Sequence, residues 1–267
     1  MSTERPPHYT VATRIHKWAE SVPVLAGKMV RGLISFVYPP SCPGCGLALP
    51  SELEDAFCPA CEQKIDSVSP PYCPACGIPQ SNESPNSHLC GDCLTGIYHF
   101  DCARTRGLHR GILREIIHRF KYEGQTYLVR PLALMLSEPG KELLSLYEVD
   151  LIMPVPLHRL RLRQRGYNQA ALLAGRLGSS VGMSVDYSSL KRSRWTEPQT
   201  GLSRRQRAKN VKGAFELINS DKVCGKCILL LDDVLTTGET VNQCARVLKD
   251  GGAREVLVLT VARTVTF

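Results

Sequence analysis

The chain has no run of the roughly 18 apolar residues that a membrane-crossing helix needs. A secretory leader is missing as well: no compact basic segment leads into a clean apolar stretch, and Arg31 interrupts the best candidate, residues 24–38. A cytoplasmic location is therefore expected, where reducing conditions disfavour disulfides. Acidic residues are scarce in one place. Residues 158–215 hold 13 Lys and Arg against only Asp186 and Glu197, so a chain of net charge +8 is net negative elsewhere. Such a localised patch suits a phosphate-rich partner, either a small polyphosphate or a nucleic acid, with a merely solvated surface as the plain alternative. No residue stands out as a general base, so none is assigned a catalytic role.

Cysteine is plentiful and unevenly spread. Eight of the 12 fall in four Cys-x-x-Cys pairs between Cys42 and Cys93, and in a reducing compartment such pairs read as metal ligands. The segment Cys42-Pro43-Gly44-Cys45-Gly46 is echoed by Cys73-Pro74-Ala75-Cys76-Gly77, each followed by a second pair, Cys58/Cys61 or Cys90/Cys93, after 12 or 13 residues. Two quartets of thiolates can each complete a tetrahedral Zn²⁺ site with no position left for water, which makes both ions structural. Gly46 and Gly77 permit the tight turn around each ion. The repeat favours sequential pairing, with a cross-braced arrangement as the alternative and His88 as a spare ligand. Cys224 and Cys227 form a fifth pair with no second pair nearby, so Cys227 is expected in a buried strand; Cys102 and Cys244 also read as core.

The cysteines divide the chain into an extension, residues 1–38, a zinc module, residues 39–98, and a larger domain, residues 99–267. In the extension Ile15, Trp18 and Val22 stand at helical spacing, and Pro39-Pro40 closes it. Beyond residue 107 the pattern becomes α/β. Leu108, Ile112, Ile116 and Phe120 suggest one helix face, Leu173, Leu177 and Val181 a second, and Val241, Cys244 and Leu248 a third. Buried strands are expected at residues 151–153, 228–231 and 256–261. Strands alternating with helices predict a mainly parallel sheet that takes its ligand at the carboxyl ends of the strands.

One such end is Leu229-Leu230-Leu231-Asp232-Asp233-Val234-Leu235-Thr236-Thr237-Gly238-Glu239-Thr240. Backbone N–H groups of the small-residue loop and the positive end of the helix after it make an anion site, to which three threonines add hydroxyl donors. The paired acids can accept hydrogen bonds from vicinal hydroxyls or hold Mg²⁺. A ribose diol beside a phosphate satisfies both halves.

The segment resembles the signature of type I phosphoribosyltransferases for 5-phosphoribosyl-1-pyrophosphate (PRPP). That resemblance implies that Asp232 and Asp233 contact the ribose hydroxyls with Mg²⁺ bound alongside. Val234, Leu235, Thr236, Thr237, Gly238, Glu239 and Thr240 would then bind the 5-phosphate. From about Leu33 onward the likeness extends to the cysteine pairs, Phe120-Lys121-Tyr122, Pro154-Val155-Pro156 and Arg165-Gly166-Tyr167-Asn168-Gln169. It also takes in the run from Arg194 through Thr196, Gln199, Leu202, Arg205, Arg207 and Asn210 to Phe215. Together these are similar to the ComF family of ComFC- and GntX-like proteins.

The family resemblance implies a type I phosphoribosyltransferase fold, a mainly parallel sheet flanked by helices, behind a double zinc ribbon. It implies phosphoribosyl transfer to an acceptor that the residues do not identify, and a link to competence and DNA uptake. Single-stranded DNA and proteins of the competence machinery become candidate partners. A non-catalytic DNA-binding accessory factor and a PRPP-sensing regulator are the alternatives. Pro154, Val155, Pro156, Arg165 and Lys121 are candidates for the pyrophosphate, as are Arg194, Arg205 and Arg207 in a basic lid over residues 191–215, since guanidinium forks suit diphosphate oxygens. Trp195 either stacks on a base or anchors the lid, and Tyr167 is either a site residue or a core aromatic.

Overall fold

The computed structural model describes residues 40–50, 56–80, 86–196, 206 and 210–265. The extension, including Ile15, Trp18 and Val22, and the lid residues Gln199, Leu202, Arg205 and Arg207 lie outside them. The chain divides into two compact units, Met1–Ser41 with Leu47–Glu54 and Cys42–Gly46 with Asp55–Phe267. In the first, the described residues make a short turn in which the Leu49 amide donates to the Pro40 carbonyl and Ser41 bridges Ala48. The second holds both the cysteine quartets and the α/β domain.

Its sheet has four strands in the order β1-β6-β5-β2, every pair parallel: β1 Cys102–Leu108, β2 Leu151–Pro154, β5 Cys227–Leu235 and β6 Glu255–Arg263. The two central strands are near-continuous runs of Ile, Leu and Val because both their faces are covered. Helices α1 (Pro59–Glu62) and α2 (Gly91–Leu94) belong to the cysteine region. Five more follow: α3 (Gly111–Tyr122), α4 (Val129–Met135), α5 (Ser137–Leu146), α6 (Arg159–Arg165) and α7 (Gln169–Val181). A two-stranded antiparallel ribbon, β3 (Leu190–Arg192) with β4 (Phe215–Leu217), brackets the basic segment and packs on α8 (Glu239–Asp250). No helix among the described residues is long and apolar enough to cross a membrane.

The strands expected at 151–153, 228–231 and 256–261 are present, and Cys227 opens β5 fully buried, as Cys102 and Cys244 are in β1 and α8. One residue was misplaced. Leu108 ends β1, and the buried face of α3 is Leu113, Ile116, Ile117 and Phe120. The strand was masked by Arg104, Arg106 and Gly107, which read as polar or as a turn, while Leu108 falls by chance one helical repeat before Ile112.

The cysteine region covers the outer edge of β1. The Leu108 amide donates to the Asp66 carbonyl (2.7 Å), the Val68 amide to Arg106 (2.9 Å) and the Ala103 amide to Ala75 (2.7 Å). An edge strand that would otherwise expose a row of unpaired peptide groups is thereby paired within the chain.

Candidate functional site

Because all four strands of the sheet run the same way, their carboxyl ends share one edge. There β5 delivers Asp232 and Asp233. The Asp233 carboxylate, 6% exposed, pairs with Lys121 Nζ at 2.7 Å, and Lys121 comes from the last turn of α3. Asp232 is more open and accepts from the Asp233 amide (2.9 Å). Burial, then the Asp233 charge, push the Asp232 carboxyl up to about 7, against the pull of Lys121 and Arg192. His109, just past β1, is held down to about 4 by burial and by Lys121, so its imidazole is neutral.

The loop then turns into α8. Gly238 caps that helix in the left-handed region (φ 80°), and a Cβ there would lie 3.1 Å from the Tyr98 ring, so the position needs glycine twice over. The Thr237 hydroxyl is buried with no hydrogen-bond partner, while Thr236 is exposed. A buried hydroxyl without a partner costs free energy unless something else supplies one.

Arg165-Gly166-Tyr167-Asn168-Gln169 and Phe120-Lys121-Tyr122, distant in sequence, form one joint. Tyr167 donates its hydroxyl to the Phe120 carbonyl, Gln169 reaches the Lys121 carbonyl (3.5 Å), and the Arg165 guanidinium lies 4.7 Å over the Tyr122 ring. Gly166 ends α6 in the left-handed region, and Asn168 both caps α7 and donates to the Val155 carbonyl (3.0 Å). The joint fixes the Pro154-Val155-Pro156 loop, whose Val155 amide extends β2 by bonding Leu231 (2.9 Å). Lys121 is already paired with Asp233, and Arg194 donates to the carbonyls of Asn210 and Lys212 (2.9 and 2.7 Å), closing the base of the basic segment. Trp195 packs against the edge of His158 (5.4 Å) and under Arg161 (5.5 Å), which anchors it to α6.

Sequence reasoning missed Arg192. It is buried beside Phe215 (5.2 Å), its Nε has no hydrogen-bond partner, and its charge reaches Asp232. His109 and Asn242 were missed too. None of the three has a local pattern, since each owes its place to tertiary packing.

The eight cysteines gather as Cys42/Cys45/Cys58/Cys61 and Cys73/Cys76/Cys90/Cys93, the sulfurs of each group lying within 4.8 Å of one another. The pairing is sequential. Zn–S bonds of about 2.3 Å set tetrahedral sulfurs about 3.8 Å apart, and Cys45–Cys58 and Cys76–Cys90 stand at 3.7 and 3.6 Å. Backbone amides of Cys58 and Cys90 point at the sulfurs of Cys42 and Cys73 (3.3 and 3.4 Å), as thiolates would require. His88 lies outside the quartet, with its ring against the Asn86 carbonyl. The donor sets therefore fit zinc, and each is already complete with protein sulfur.

Two cavities lie away from this edge. One of about 110 Å³ sits among Tyr72, Arg104, Arg106 and Glu142 beside β1, and one of about 500 Å³ among Asp186, Tyr187, Lys222 and Lys226 near the start of β2. The charged groups of the first neutralise one another, Arg104 with Glu142 and Arg106 with Glu62 and Glu138.

A phosphoribosyltransferase-type parallel sheet with an acid pair and a glycine-capped helix at its carboxyl edge, joined to two four-cysteine zinc sites, defines the class of this protein. The family model described as double zinc ribbon domain matches residues 33–94. Competence protein F of Haemophilus influenzae is 33% identical over 214 residues, 79% of this chain and 91% of that protein. The DNA utilization protein YhgH of Escherichia coli K12 is 34% identical over 183 residues, 67% of this chain and 80% of that protein. The chain belongs to the competence protein F family. Among solved structures it is similar to the glutamine PRPP amidotransferase of B. subtilis, with a TM-score of 0.33 and 21% identity over 48% of this chain and 25% of that one.

Proposed function

We propose that the carboxyl edge of the sheet binds PRPP with Mg²⁺ and that the protein transfers the phosphoribosyl group to an acceptor, releasing pyrophosphate, in the handling of incoming DNA. The observation that carries this reading is the Thr237 hydroxyl, buried and without a partner between an acid pair and the start of a helix. A 5-phosphate in the loop supplies the missing acceptor, and the ribose diol meets Asp232 and Asp233. Mg²⁺, when bound, neutralises diphosphate charge. In transfer, the bond from the anomeric carbon to the diphosphate oxygen breaks with its electron pair leaving on pyrophosphate, and a bond to the acceptor forms. The exposed Arg159 and Arg163 of α6 suit the departing anion. A panel of nucleobases and amines tests the reaction: pyrophosphate is expected with one acceptor class and only when Mg²⁺ is present. PRPP binding with no release across the panel would instead favour a PRPP-sensing regulator.

A second reading, single-stranded DNA binding, is favoured by two exposed rings, Tyr122 and Trp195, each carrying an arginine on its face. Replacing Arg205 and Arg207 by Ala is then expected to weaken binding and to lower the salt slope by about two, roughly one counterion per lost phosphate contact. An unchanged slope would place any DNA elsewhere.

A further inference from the structure

The second cysteine quartet and the phosphate loop are built on each other. Immediately after Cys93, residues 97–99 lie against the first turn of α8. There Asn242, 6% exposed, accepts from the His99 amide (2.6 Å) and donates to the Ile97 carbonyl (2.9 Å). Between these two contacts the Tyr98 ring sits under Gly238, and its hydroxyl reaches Asp92, which stands between Cys90 and Cys93 (3.4 Å). From the other pair of the same quartet, the Cys76 carbonyl accepts from Arg263 Nη1 (2.6 Å), and Arg263 is the register partner of Leu235, a loop residue. The knuckle backbone is held close here too, since a Cβ on Gly77 would lie 2.6 Å from the Ala103 carbonyl oxygen. The first quartet has no such route. It docks on α3, where the Pro43 carbonyl accepts from Arg119 (2.8 Å) and Gly44 packs on Ile112.

We infer that metal in the Cys73/Cys76/Cys90/Cys93 quartet is thermodynamically linked to the ordering of the phosphate loop, so that loss of this ion alone switches off anion binding at residues 234–240. The physical reason is that residues 94–99 have little apolar burial of their own: Leu94, Thr95, Gly96 and Ile97 are exposed. What fixes them is the quartet at one end and Asn242 at the other. Free the quartet end, and Tyr98 no longer supports the turn at Gly238. The linkage must run both ways, so a ligand that orders the loop also retains the second ion. As the control of a PRPP site it rests on the function proposed above, whereas the mechanical linkage does not.

Amide hydrogen exchange of the full-length zinc protein, read by mass spectrometry over residues 234–245 with zinc content measured in parallel, tests it. Cys93→Ser is expected to speed exchange there on the order of tenfold, the scale of ordinary site-to-site coupling. Cys45→Ser, which strips the first quartet, is expected to leave that segment near wild type. Asn242→Ala keeps both quartets intact and is expected to reproduce the Cys93→Ser pattern with two zinc ions still bound. Unchanged exchange in Asn242→Ala, or equal acceleration by Cys45→Ser and Cys93→Ser, overturns the linkage. PRPP titration of the same samples separates the two ideas: a wild-type protein that binds no PRPP, yet shows the exchange pattern, retains the linkage and loses the PRPP reading.

Discussion

Titrated calorimetrically with PRPP in the presence of Mg²⁺, the double variant Asp232→Asn, Asp233→Asn is expected to bind at least about a hundredfold more weakly than wild type, two charged hydrogen bonds being worth about 1.5–3 kcal/mol each. Asparagine keeps the volume, so the loss reports charge. The single variants should differ. Asp233 holds Lys121 at 2.7 Å, and its neutralisation leaves a largely buried ammonium without its partner. Asp233→Asn is therefore expected to cost stability as well as affinity. Asp232→Asn should cost affinity while the fold becomes no less stable. Wild-type protein that binds no PRPP, or a double variant that binds as well as wild type, removes the basis for the site.

The sign of that stability difference follows from linkage. The Asp232 carboxyl titrates near 7 in the folded chain and near about 3.9 when unfolded. The folded state therefore holds this proton more tightly, and a destabilisation builds as pH rises from about 4 to about 7 and is complete above it. Asp232→Asn removes this component, so its denaturation midpoint should vary less with pH across that window than the wild-type value. A strand end that keeps a disfavoured carboxylate at neutral pH is giving up stability for charge, as functional sites often do. Ionised Asp232 is also the form that accepts from hydroxyls or meets Mg²⁺, so PRPP affinity should fall as pH drops through about 7.

The site was legible where its chemistry is local. Asp232 to Thr240 is a strand end, a turn and a helix start in 9 consecutive residues, and each residue type there has one physical reason to be present. The cysteine quartets were legible for the same reason, spacing being the geometry of a knuckle. The strand β1 was not, because an edge strand can carry Arg104 and Arg106 when Glu142, Glu62 and Glu138 stand opposite, and those partners come from other elements. Helices α4 and α5 escaped notice through Pro131, Pro139 and Gly140, residues that suit helix starts as well as breaks. The Phe120-Lys121-Tyr122 and Arg165-Gly166-Tyr167-Asn168-Gln169 segments could be recognised as motifs, yet nothing in either announces that Tyr167 bonds the Phe120 carbonyl. Asn242 and His99 lie 143 residues apart, beyond any periodicity argument.

Zinc removal should have the largest effect on the fold. The purified protein is expected to carry two zinc ions per chain, one in each quartet, and Cys58→Ser should lose one and open the first ribbon to protease. Cys58 is 4% exposed, and its amide points at the Cys42 sulfur, so serine there leaves three thiolates around a buried polar gap. Structural zinc contributes about 10–16 kcal/mol in isolated finger peptides, as much as the whole stability of an ordinary domain, about 5–15 kcal/mol. A ribbon this small cannot fold without it. The damage should not stay local, because residues 66–68 and 75 pair the outer edge of β1 through the amides of Val68, Ala103 and Leu108. When the ribbons open, that edge is bared next to a buried parallel sheet and becomes a template for strands of other chains. Chelation is therefore expected to lower the unfolding temperature and to drive concentration-dependent aggregation, both reversed if zinc returns before the aggregates form. Metal analysis that finds no zinc, or a protease pattern and a melting curve untouched by chelator, would show that the eight cysteines hold the region together in some other way.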